Sequence, residues 1–108
     1  MPQRPMNEEM ISQELRTAVV QPEGDLVSAK LPAFRSRLRE IAASGILHLT
    51  VDLAGVHAVD SAGIGLLVAA HNSLKKSGGE LAVIHASKDI LELLRTMRIH
   101  QHFAVSGN

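Results

Sequence analysis

The stretch Val51-Asp52-Leu53-Ala54-Gly55-Val56-His57-Ala58-Val59-Asp60-Ser61-Ala62-Gly63-Ile64-Gly65-Leu66-Leu67 decides how the chain is to be read. Val51 and Leu53 end an apolar run, Gly55 marks a tight connection, and Asp60-Ser61 stands just before apolar residues at helical spacing. The pattern predicts a buried strand, a short loop and a helix start. A hydroxyl at that start faces solvent, beside backbone N–H groups and the positive end of the helix dipole, where added negative charge is tolerated. No other part of the chain offers comparable chemistry.

Working outward, Ile46 to Leu53 is aliphatic and β-branched, with His48, Thr50 and Asp52 at alternate positions, so one face of that strand is the less apolar. After Asp60-Ser61 a helix runs to about Ser77, with Ile64, Leu67, Val68, His71 and Leu74 or Lys75 on its inner stripe. Upstream, Leu31 to Ala43 is a helix with the stripe Leu31, Phe34, Leu38, Ile41 and Ala42, Pro32 in its first turn, and Gly45 at its end. Downstream, Leu81 to His85 is a strand. Ser87 to Arg98 is a helix capped by Ser87, with the stripe Ile90, Leu93, Leu94 and Met97, and Phe103 to Val105 is a last strand. Leu15–Val20 and Leu26–Ala29, separated by Pro22-Glu23-Gly24-Asp25, are expected to pair as a hairpin, and residues 1–10 to form a loose tail before a single domain over 11–108. Strands alternating with helices through short loops imply right-handed parallel crossovers. The expected fold is a small α/β domain, a mixed β-sheet with largely parallel core strands and helices packed against it.

Composition excludes several functions. Lys+Arg and Asp+Glu both number 11, and there is no Trp, no Tyr and only two Phe. A nucleic-acid binder would carry a basic excess or stacking aromatics. Cysteine is absent, so no disulfide or thiolate chemistry is available. No apolar run is long enough for a membrane span, and the N-terminus lacks the apolar core of a signal peptide, so a cytoplasmic protein is the simplest reading. Six His are scattered without metal-ligand spacing. Ser61, His57 and Asp60 lack the nucleophile elbow of a hydrolase, Gly63-Ile64-Gly65 is not a dinucleotide fingerprint because Val68 replaces the third glycine, and in Lys75-Lys76-Ser77-Gly78-Gly79 the glycines follow the lysines instead of preceding them. No enzyme activity, cofactor or metal is expected.

The candidate site is therefore the Asp60-Ser61 step. Asp60 is placed to cap the helix through the N–H of Ala62 or Gly63. Gly63 and Gly65 leave its first turn without bulky side chains, so that a partner's backbone can approach, and His57 in the preceding loop is either part of the same rim or a solvated loop residue. A plain helix cap needs no function, but here the pattern extends on both sides. Pro22-Glu23-Gly24-Asp25-Leu26, Leu49-Thr50-Val51-Asp52-Leu53-Ala54-Gly55-Val56, Val59-Asp60-Ser61-Ala62-Gly63-Ile64-Gly65-Leu66-Leu67, Ser77-Gly78-Gly79-Glu80-Leu81 and Leu91-Glu92-Leu93-Leu94-Arg95 together resemble the STAS domain family of anti-sigma-factor antagonists and their relatives. The resemblance covers roughly residues 12–106.

That resemblance implies a monomer that binds an anti-sigma factor serine kinase when unphosphorylated, is released when Ser61 is phosphorylated, and is reset by a serine phosphatase. Asp25, His57, Asp60, Ser61, Ala62, Gly63 and Gly65 would then form the partner-binding surface. Two positions depart from the family pattern. Ala62 stands where many antagonists carry a second hydroxyl, which leaves Ser61 as the acceptor. Val27 stands where many carry a carboxylate near the acceptor, and Asp25, two residues earlier, is not expected to take its place. These departures keep open a second reading, a non-phosphorylated adaptor subunit of a lipid-transport or signalling complex.

Overall fold

A computed structural model describes residues 9–12 and 14–108. Five strands form one sheet in sequence order: β1 (Glu9–Ser12), β2 (Thr17–Val20), β3 (His48–Asp52), β4 (Glu80–Ala86) and β5 (Ala104–Gly107). β1 runs antiparallel to β2, and every later pair is parallel. The crossovers are α1 (Leu31–Ala43), α2 (Ser61–Lys75) and α3 (Lys88–Thr96). This is the mixed, largely parallel sheet with packed helices that the sequence pattern predicts.

The strand alternation explains the layering. Ala18 and Val20, Leu49 and Val51, and Leu81 and Val83 point to one face and are buried. They join one core with Leu38 and Ile41 of α1, Ile64, Leu67 and Leu74 of α2, and Ile90 and Leu94 of α3. On the opposite face Thr50 and Asp52 are half-buried and His48 is exposed, as their alternation implied. His71 is the one buried polar residue among those described. Its Nδ1 accepts the Leu81 N–H at 3.1 Å, which fixes the proton on Nε2, and its ring centroid lies 5.4 Å from that of Phe103.

Three expectations need correction. The hairpin partner of β2 is β1, not Leu26–Ala29. Leu26 instead forms a single parallel bridge to Val59, with its N–H bound to the Ala58 carbonyl and its own carbonyl accepting from the Asp60 N–H. Ser28–Lys30 then turns into a short 3-10 helix. The expected tail lies outside the described residues up to residue 8, whereas Glu9 and Met10 belong to β1. Finally, α3 buries Ile90 and Leu94 but leaves Leu93 and Met97 exposed, because Leu91 turns inward and packs on the core beside Gly107 of the edge strand.

Candidate functional site

The Asp60-Ser61 step lies beyond the carboxyl end of β3, where open α/β sheets gather their binding sites. The chain leaves β3 through a turn at Gly55, whose φ of 84° suits a residue without a Cβ. Asp52 steadies the exit by accepting the Ala54 N–H at 2.9 Å, and His85 Nδ1 lies 3.0 Å from the same oxygen. Val56 is buried and anchors the loop from below.

Two carboxylates hold the loop in shape. Asp25 Oδ1 accepts the N–H groups of His57 at 2.8 Å and Ala58 at 3.1 Å. Asp25 thus reaches the loop before the candidate serine, contrary to expectation, and binds backbone there. Asp60 divides its two oxygens. Oδ1 accepts the Gly63 N–H at 2.8 Å and so caps α2. Oδ2 accepts both the N–H and the hydroxyl of Ser28, at 2.9 and 3.1 Å. Hydrogen bonding to the charged form holds both carboxyls below the usual aspartate range. For Asp25 the His57 N–H is the largest cause, and for Asp60 the Gly63 N–H, followed by that of Ser28.

The two glycines near the start of α2 differ. A Cβ on Gly63 would lie 2.2 Å from the Leu26 carbonyl oxygen, so this glycine admits the chain's own backbone, not a partner's. Gly65 is exposed and a Cβ there would meet nothing within 4 Å. Ser61, Ala62 and the His57 side chain are also exposed. The fold therefore brings all seven candidate residues into one region but sorts them. His57, Ser61, Ala62 and Gly65 present the surface, while Asp25, Asp60 and Gly63 build the ledge beneath it. Ser28 was missed in the sequence, because nothing local marks a serine whose partner lies 32 residues away.

The STAS domain model matches residues 10–108. The chain belongs to the STAS domain family. Solved structures agree in fold with this STAS domain. The Thermotoga maritima protein TM1081 superposes with a TM-score of 0.84 at 17% identity, covering 95% of this chain and 87% of that one. An anti-sigma factor antagonist from Mycobacterium paratuberculosis gives 0.78 at 18% identity, covering 98% and 92%. The anti-sigma factor antagonist SpoIIAA, a Bacillus cell-fate determinant, gives 0.69 at 17% identity in its unphosphorylated form, covering 93% and 84%. Its phosphorylated form gives 0.69 at 16%, covering 90% and 86%. A comparison with curated proteins finds no match. Among the described residues of this STAS domain, no helix is long and apolar enough to cross a membrane, and no group of His, Asp and Glu is placed to hold a metal ion.

Proposed function

We propose that this STAS domain is a cytoplasmic anti-sigma-factor antagonist that works by regulated protein binding, not by turnover. Its partner is an anti-sigma factor serine kinase, and Ser61 is the phosphoacceptor. The observation that carries the reading is the position of Ser61: an exposed hydroxyl on the first residue of α2, next to a capping aspartate whose two oxygens are already engaged. The likeness to SpoIIAA, solved in both phosphorylation states, supports it.

Magnitudes favour a binding switch over an unfolding switch. Phosphate on Ser61 adds roughly −1.5 to −2 charges. The positive end of α2 offsets that by about 0.3–1 kcal/mol at an exposed site, so the fold survives. A partner docked over Ser61 meets a like charge or a desolvated anion at a cost of several kcal/mol. That lowers affinity by about a hundredfold or more. His57, Ala62 and Gly65 supply the rest of the contact surface, and a serine phosphatase restores it.

The test is calorimetric titration of the unmodified chain, and of Ser61→Asp, into the kinase that co-purifies from the native host. Tight binding lost in Ser61→Asp, with the melting temperature unchanged, supports the switch. Equal affinities remove Ser61 from the mechanism. The second reading, a constitutive adaptor, is favoured by Ala62 in place of a second hydroxyl. Stable recovery with a transporter ATPase, with Ser61 unmodified, would establish it instead.

A further inference from the structure

A groove of about 200 Å³ runs between α1 and α2, away from the Ser61 ledge. Its floor is apolar, made by Leu38 and Ala42 of α1 and by Leu66 and Ala70 of α2. Its rim carries Arg35 and Arg39, one helical turn apart on α1 and exposed. No ion pair engages either arginine among the described residues, and the one carboxylate of α1, Glu40, is taken by Arg37 at 3.0 Å. α2 contains no Asp or Glu, and Lys75 and Lys76 lie at its far end. Two exposed arginines and no carboxylate thus line this apolar groove.

We infer that the α1–α2 groove is a second docking surface, for an acidic amphipathic helix of a partner protein. The occupant places one or two small aliphatic side chains on the floor, and carboxylates four residues apart pair with Arg35 and Arg39. A bilayer is the poorer fit: the apolar surface is recessed between two helices, and the chain has no Trp or Tyr to seat at an interface. The α2 floor residues Leu66 and Ala70 lie five and nine positions beyond Ser61, about 7.5 and 13.5 Å along the helix axis at 1.5 Å per residue. The near end is about one Debye length (~8 Å at physiological salt) from Ser61 and the far end well beyond it, so phosphate on Ser61 acts on docking here only through a screened field.

The probe is a synthetic amphipathic helix with leucine and alanine along one face and glutamates four residues apart on its flank, titrated into the 15N-labelled chain. Shifts confined to the groove residues are expected. Arg35→Glu/Arg39→Glu should weaken binding at least tenfold without changing the melting temperature. A lysine-for-glutamate version of the peptide should bind that variant in preference to the parent. Ser61→Asp should change affinity less than twofold, which keeps this result separate from the fate of the Ser61 reading. Three outcomes overturn the inference: no groove shifts with the peptide, groove shifts that follow protein concentration alone and so report a second copy, or co-sedimentation with phosphatidylglycerol vesicles where the peptide fails to bind.

Discussion

Replacing Gly63 and Gly65 by alanine separately should move stability in opposite directions, although the two lie only two residues apart near the start of α2. Intrinsic propensity favours alanine over glycine by about 0.8–1 kcal/mol in a helix interior. At Gly65 nothing opposes that gain, since a Cβ meets nothing within 4 Å. Stability should rise by roughly 0.5–1 kcal/mol, or about 4 °C per kcal/mol in a domain of this size. At Gly63 the new methyl lies 2.2 Å from the Leu26 carbonyl oxygen, against 3.4 Å for an ordinary contact, so the strand segment must retreat by 1.2 Å, the difference of the two. A backbone atom cannot rotate away. The retreat opens the bonds from the Leu26 N–H to Ala58 at 3.0 Å and from the Asp60 N–H to Leu26 at 3.1 Å. Each is worth about 1 kcal/mol net, and overpacking adds about 1–3 kcal/mol. Subtracting the propensity gain leaves a loss of about 3 kcal/mol, a fall of roughly 12 °C. Circular-dichroism melting and urea denaturation read both variants. If Gly63→Ala melts within a degree or two of the parent, the close approach that defines the ledge does not exist.

Other outcomes follow from the same contacts. Leu67→Ala, at a fully buried position, should cost about 2–5 kcal/mol by urea denaturation. Burial holds the His71 imidazole below its ordinary value of 6.5, with Lys75 adding to the effect and Glu80 opposing it. Only the unfolded chain then takes up a proton as pH falls below 6.5, so the urea midpoint should be highest above that pH and decline toward the lower folded value. His71→Asn should flatten that part of the profile. Asp25 and Asp60 act in the acid range, their contribution present above 3.8 and lost as pH falls through their lower folded values. Asp60→Ala should speed amide exchange at Ser28 and Gly63 together, and exchange confined to Gly63 would refute the shared anchor.

Where burial repeats with a clear period, the sequence already displays the element. α1, α2, β3 and β4 follow from Leu31–Leu38–Ile41, Ile64–Leu67–His71–Leu74, Leu49–Val51 and Leu81–Val83, and Gly45 and Gly78 take the positive φ of 87° and 84° that ends a helix. The Asp60 cap was visible for the same reason, since its donor lies three residues away. The β1–β2 hairpin was not. Its turn uses Arg16 at a φ of 54°, with no glycine or asparagine to mark it. The facing of α3 was ambiguous because Ile90, Leu91, Leu93 and Leu94 are all apolar, and only the edge strand β5 decides which are covered. Within the candidate site, exposure of Ser61 followed from its position. The tasks of Asp25, Gly63 and Ser28 depended on contacts with segments more than 30 residues distant.

Because Asp60 grips Gly63 with one oxygen and Ser28 with the other, the start of α2 and the approach to α1 are tied together through one carboxylate. The conformational entropy of that surface is lost when the chain folds, not when a partner arrives. A ligand seated there therefore meets a preorganised platform, and the free and bound forms of this region should superpose closely. For the partner proposed above, recognition would then rest on the few side chains that stand on the platform, not on reshaping it.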